Sequence, residues 1–220
     1  MIDRPVGSLG AQGADRYCGA VGARETNRES RERALLEAAI ESFAELGFSE
    51  VRLSDIAKRA GMTAGHLSYY FPSKSELLRR AIEMSEGRLI EDARAALERL
   101  ERPEDRLRTL IDLSLADRVR DPGWLLWFQV WAGAALHPEI TESHHALDGE
   151  WRALLRQVID EGIAAGGFRA EDPDATAAAI ASMLDGLSIQ LVLEAPGYGP
   201  ERIRAIADAA VAALLGLRDA

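Results

Sequence analysis

The sequence is poor in cysteine, in histidine and in aromatic rings, and each shortage excludes something. A single cysteine, Cys18, can close no intramolecular disulfide, so the fold must rest on an apolar core, as suits a reducing compartment. The histidines are His66, His137, His144 and His145. The last three invite a metal reading, but adjacent histidines on a helix face different directions, and no cysteine or closely spaced acid completes a four-ligand set. No run of about 18 apolar residues is present to span a bilayer, and residues 1–24 carry no continuous apolar segment of signal-peptide length. A soluble, cytoplasmic chain is expected. Nor is there a nucleophile beside a base, or a close carboxylate pair at helical spacing, which weighs against an enzyme.

Basic charge is short overall, with 26 Lys and Arg against 36 Asp and Glu and a net charge of −10. The deficit is uneven. Residues 1–80 hold 12 basic and 11 acidic side chains, whereas the remaining 140 hold 14 and 25. Acidity therefore belongs to the C-terminal part, and affinity for a polyanion depends on local charge.

Helical periodicity runs through the chain, and no strand signal interrupts it. Residues 1–28, rich in Gly, Ala and Arg, show no apolar period and are expected to be a disordered tail. Arg24, Arg28 and Arg31 are either part of an inert extension or an arm for a minor groove. From about 30 to 46, Leu36, Ala39, Ile40 and Phe43 recur at i, i+3, i+4 and i+7, and Gly47 ends the helix.

Residues 52–74, RLSDIAKRAGMTAGHLSYYFPSK, read as two short helices around a tight turn. Ile56, Ala57 and Ala60 make one side of the first helix apolar. Gly61 supplies the positive φ of the turn, and Thr63 stands where a hydroxyl caps the second helix. On that helix Leu67 and Phe71 point inward, four residues apart. His66, Ser68, Tyr69 and Tyr70 are left facing outward or sideways. So short a helix, so rich in outward hydroxyls and rings, suits a reading surface. In a helix-turn-helix the N-terminal residues of the second helix meet base edges in the major groove. Those residues here are Thr63, Ala64, Gly65 and His66, flanked by Arg52, Lys58, Arg59 and Lys74 for phosphates.

The stretch IAKRAGMTAGHLSYYFPSKSELL resembles the DNA-binding domain of the TetR family of transcriptional regulators. An Ile-Ala pair, a turn glycine, a helix ending in aromatics, Phe-x-x-Lys and then a long helix follow in the family's order. The resemblance implies an all-α protein of about nine helices. Its parts would be a tail over 1–28, a helix-turn-helix DNA-binding head over 29–74 and a ligand-binding and dimerisation domain over 75–220. It also implies DNA contacts at Arg52, Ser54, Thr63, Ala64, Gly65, His66, Ser68, Tyr69, Tyr70 and Lys74. Arg52 and Leu53 stand where the family often has threonine, and Ser68 replaces a frequent tyrosine.

Ser73 and Glu76 read as a capping box opening a long helix to about Leu100, striped by Leu78, Ile82, Ser85, Leu89, Ala93, Ala96 and Leu100. This helix either swings the head when a ligand binds or is merely a stiff connector. Pro103 opens a helix to about Arg120, and Asp121-Pro122 starts the next. There Trp124, Trp127, Phe128 and Trp131 share one face. The stripe is either plain core or the wall of a cavity, since indoles pack with gaps and need partners for their N–H groups. A cavity would take Leu89, Trp124, Trp127, Phe128, Trp131, Trp151, Met183, Leu187 and Gln190, with Gln129 or Gln190 as polar anchors. After a loop, a helix runs to Ala165. Asp172-Pro173 and Gly199-Pro200 then open two Ala- and Leu-rich helices, read as an intramolecular hairpin or, doubled by a two-fold axis, a four-helix interface.

The tryptophan segment, WRALLRQVIDEGIAAGGF and SMLDGLSIQLV are similar to the BetI-type C-terminal domain of the same family. Together the two resemblances imply a ligand-responsive repressor. As a homodimer, paired through the last two helices, it would bind a palindromic double-stranded DNA operator and be released by a small, largely apolar or cationic effector. No cofactor, metal or membrane is implied. The alternatives are a helical small-molecule enzyme and an adaptor of the same shape that has lost DNA binding.

Overall fold

The structure, a computed structural model, describes residues 14–217, with side chains from Asn27 onward. Nine α-helices and no strands occur among them: α1 Ala14–Glu50, α2 Leu53–Arg59, α3 Ala64–Tyr70, α4 Lys74–Leu97, α5 Pro103–Ser114, α6 Pro122–Ala134, α7 Pro138–Ala164, α8 Pro173–Val192 and α9 Pro200–Leu215. Helix α1 starts well before the periodic segment, inside the stretch expected as a tail. Its backbone is helical from Ala14, while residues 1–13 lie outside the described residues. Ala, Arg and Glu prolong a helix by intrinsic propensity without any apolar face, which periodicity alone misses.

The head forms as its local chemistry dictates. Gly47 breaks α1 with φ 77° and ψ 163°, a conformation that only glycine adopts without strain. Gly61 turns between α2 and α3 at φ +69°, and the Thr63 hydroxyl accepts from the His66 N–H at 3.3 Å. Ser73 caps α4 by accepting from the Glu76 N–H at 3.0 Å. Leu35, Ala39, Phe43, Ile56, Ala57, Leu67 and Phe71 close the core of α1, α2 and α3. Burial of each large member contributes about 1.5–3 kcal/mol.

Each helix from α5 to α9 opens on a proline in its first turn, where the missing N–H costs nothing. Two boundaries differ from the sequence expectation. Helix α5 ends at Ser114, short of Arg120. There the wholly buried Ser188 hydroxyl accepts from the Ala116 N–H at 3.0 Å, holding the chain in a loop. Pro138, just past the end of α6, at once starts another helix: α7 runs 27 residues through the expected loop, with Ile140, Ser143 and Leu147 continuing the buried side. On α4 the buried stripe shifts one residue after Ile82, to Ile90, Ala93 and Leu97, and leaves Leu89 half-buried.

Helix α8 is long and apolar enough to cross a membrane by length and composition alone, with an 18-residue window of mean hydropathy 1.4. One side of it is core, through Ala177, Ile180, Leu184 and Leu191. The head and body join where α4 and α6 pack against α1, reinforced by an Arg80–Glu32 ion pair at 2.8 Å between α4 and α1.

Candidate functional site

Two sites stand out, the tip of the head and a cavity in the body. At the tip Arg52, Ser54, Thr63, Ala64, Gly65, His66, Ser68 and Tyr69 are all exposed, and Tyr70 is half-buried. Tyr69 is 73% exposed, so for a ring of this size little packing holds it. It meets Tyr70 edge-on at 5.3 Å, and Tyr70 leans on Phe71 at 6.3 Å, so the buried phenylalanine positions both phenols indirectly. His66 Nδ1 lies 3.4 Å from the Thr63 hydroxyl, and the residue is exposed.

Two expected phosphate ligands are otherwise engaged. Arg59 pairs with Glu41 and Glu45 of α1 and ties α2 down. Lys74 does not face outward. Its ammonium donates to the Ser49 carbonyl at 3.3 Å and the Val51 carbonyl at 2.8 Å, and sits 4.8 Å from the centre of the Phe48 ring. Carbonyls left unpaired at the end of α1 make a better partner for a half-buried ammonium than bulk water does. Arg28, Arg31, Arg52 and Lys58 stay exposed. The side chain of Arg24 lies outside the described residues.

The cavity opens between α4, α5, α6, α7 and α8 and measures about 340 Å³. All four tryptophans of the chain line it. Trp124 and Trp127 lie 6.1 and 5.8 Å from Trp131 between ring centres, forming one wall on α6. Trp151 stands on α7, fixed by its indole N–H donating to the Ser114 hydroxyl at 3.0 Å. His144 meets Trp127 edge-on at 5.6 Å, and its Nδ1 is buried without a hydrogen-bond partner among the described residues.

Of the residues expected here, Leu89, Trp124, Trp127, Trp131 and Trp151 line the cavity, whereas Phe128, Met183, Leu187 and Gln190 do not. Helix α8 presents Asp185 to the cavity. At 3.6 residues per turn, positions two away point to the opposite side. Met183 and Leu187 therefore pack in the core, and Gln190 is exposed. Phe128 is one step round α6 and packs on the core beside Trp131, at 5.9 Å. Gln129 faces away from the indoles altogether. Its Oε1 accepts the Phe48 backbone N–H at 2.8 Å, beside the Gly47 break. The helix that walls the cavity is thus bonded to the head on its other side.

The acids were missed. Glu86, Asp112, Asp117, Asp121, Asp148 and Asp185 also line the cavity. Burial pushes the Glu86 carboxyl up to about 7, with hydrogen bonding to Trp127 pulling the other way. Burial first, and the charge of Asp148 second, push Asp185 up to about 6. A signal for them existed in the sequence: Asp148 lies three residues from Trp151 and so shares its helix face. Glu86 and Asp185 interrupt otherwise inward-facing stripes. Aromatic faces beside carboxylates are suited to an organic cation, which the rings attract through their quadrupoles.

Residues 35–81 match the family described as bacterial regulatory proteins, tetR family, and residues 103–216 match the BetI-type transcriptional repressor, C-terminal family. The chain belongs to the TetR family. It is a DNA-binding, ligand-responsive transcriptional regulator with a BetI-type C-terminal domain. The HTH-type transcriptional regulator BetI of Rhizobium meliloti is 30% identical over 74% of this chain and 79% of its own length. That of Stenotrophomonas maltophilia is 27% identical over 80% and 89%. A transcriptional regulator from Saccharomonospora viridis, solved in complex with choline, superposes with a TM-score of 0.76 at 28% identity, over 82% of this chain and 94% of the other. These relatives are named as regulators, not enzymes.

Proposed function

We propose that this TetR-family regulator is a dimeric repressor that holds a palindromic operator when empty and lets go when a small organic cation enters the tryptophan cavity. The carrying observation is that α6 has two sides. One bears Trp124, Trp127 and Trp131, and the other is hydrogen-bonded through Gln129 to Phe48 at the break in α1. A ligand that moves the indoles moves the attachment of the head. Aromatic and acidic lining supports a cation, as does the choline bound by the Saccharomonospora relative. A decisive change in operator occupancy needs a differential affinity of several kcal/mol, about 5.5 for a swing from 1:99 to 99:1.

At the tip, Thr63, Ala64, Gly65 and His66 read bases. Arg52, Ser54, Ser68, Tyr69 and Tyr70 hold the backbone, and Lys74 acts indirectly by fixing the junction. Dimerisation uses the outer faces of α8 and α9. Ala179, Ser182, Gly186, Gln190 and Leu193 are exposed on one, and Ala205, Ala209, Ala213 and Leu214 on the other. Small side chains let such helices approach closely, and the pairing would cover the apolar surplus of α8. A regulator of this kind works in the cytoplasm, beside bacterial DNA.

The test is a titration of the full chain against its own upstream intergenic DNA at several salt concentrations, with and without choline or tetramethylammonium. Binding that weakens steeply with salt and is reversed by the cation is expected. Binding indifferent to every organic cation overturns the effector reading, and a monomer in solution overturns the palindrome.

A further inference from the structure

Resting on the reading of the cavity as a cation site, we propose that its ligand carries two positive charges: a linear dication, two ammonium centres joined by a short apolar spacer. The cavity has more acid than one charge can answer. Six carboxylates line it, and four have arginine partners. Asp112 is paired with Arg204, Asp148 with Arg152 at 3.0 Å, and Asp117 and Asp121 share Arg118 at 3.8 Å each. Glu86 and Asp185 have no arginine or lysine partner among the described residues. Leaving either carboxylate charged and unpaired away from water is expensive, so each ionises readily only when a cation joins it.

These two acids stand on different helices, Glu86 on α4 and Asp185 on α8, and both helices pack on α6 and α7. Glu86 lines the cavity with Trp127 of the α6 wall, and Asp185 lines it with Asp148, which shares a face of α7 with Trp151. The cavity thus holds two free carboxylates among indoles, the elements of a cation cage. Leu89, Ile90, Leu113 and Leu147 add apolar surface to the same lining, suited to an alkyl spacer. A single trimethylammonium head answers one of the two free carboxylates and leaves the other without a cation.

All four tryptophans lie on the cavity, so quenching of their fluorescence in the full-length protein reads occupancy. Two probe series are compared: tetramethylammonium and an alkyl-trimethylammonium as monocations, and α,ω-bis(trimethylammonium)alkanes and α,ω-diaminoalkanes of increasing spacer length as dications. The expected result is a dication of one preferred length binding at least tenfold more tightly than any monocation. In Glu86→Gln and in Asp185→Asn that advantage falls to within about threefold, while thermal melting shows both variants folded. If monocations bind as tightly as every dication, or the advantage survives both substitutions, the dication is wrong and the single-cation reading stands. If no cation of either series quenches the tryptophans, both readings fall together.

Discussion

The head and the cavity are built on opposite plans. The head hides its apolar residues and leaves its reading groups in water, held by short-range devices: a glycine turn at Gly61, a hydroxyl cap at Thr63, a hydroxyl cap at Ser73. The cavity instead shelters Glu86 and Asp185, from helices far apart in the chain, among rings of α6 and α7. A surface of exposed groups meets its ligand through charge that salt screens. A sheltered site meets its ligand through desolvated groups whose protonation matters more. The two halves of one regulator should therefore fail under different conditions.

Acid offers the largest separation. Glu86 and Asp185 are harder to ionise folded than unfolded, so each contributes stability that is present below its ordinary value, 4.5 or 3.8, and lost as pH rises through about 7 or about 6. A cation must find them ionised. The affinity of a dication that needs both, measured by tryptophan quenching, should be full at pH 8 and roughly a thousandfold weaker at pH 5, about a hundredfold through Glu86 and about tenfold through Asp185, each pH unit below a carboxyl pKa being worth about tenfold. In Glu86→Gln most of this dependence should vanish.

Tyr69→Ala should sharpen the contrast from the other side. Operator affinity should fall about tenfold to thirtyfold, the scale of a hydrogen bond to a charged group, with cation quenching unchanged. Gln129→Ala tests the connection itself. Operator and cation should each bind within about threefold of the parent, while the cation concentration needed to release DNA rises about tenfold, since coupling energies between sites are typically 1–3 kcal/mol. The smallest effect is expected from Lys74→Ala. Losing its bonds to the Ser49 and Val51 carbonyls should cost about 1 kcal/mol in thermal stability and weaken all operators alike, without shifting preference at any base position.

The head was legible because its determinants are local. Gly61, Thr63 and Ser73 act on neighbours within three or four residues, and the apolar spacing of Leu67 and Phe71 announces which side is buried. Lys74 escaped because its partners lie 23 and 25 residues away, just after the break in α1. For the body, Pro103, Pro122, Pro173 and Pro200 located four helix starts, but α7 begins at Pro138 inside the expected loop, where only Ile140, Ser143 and Leu147 mark a buried side. The tryptophan wall was visible as a repeat on α6. Its acidic complement left only scattered marks, interruptions of separate stripes, because Glu86, Asp148 and Asp185 come from three helices that meet only after folding. The same reason hid the role of Gln129, which a local reading assigned to the ligand.

That glutamine grips a main-chain N–H and not a side chain of residue 48. The joint therefore demands of the head only a backbone course, with a glycine bend ahead of it, and is blind to which bases the tip prefers. Operator preference can drift by mutation without retuning the response to the effector. A chimaera carrying a related regulator's tip on this body should inherit the new DNA target and keep the old inducer.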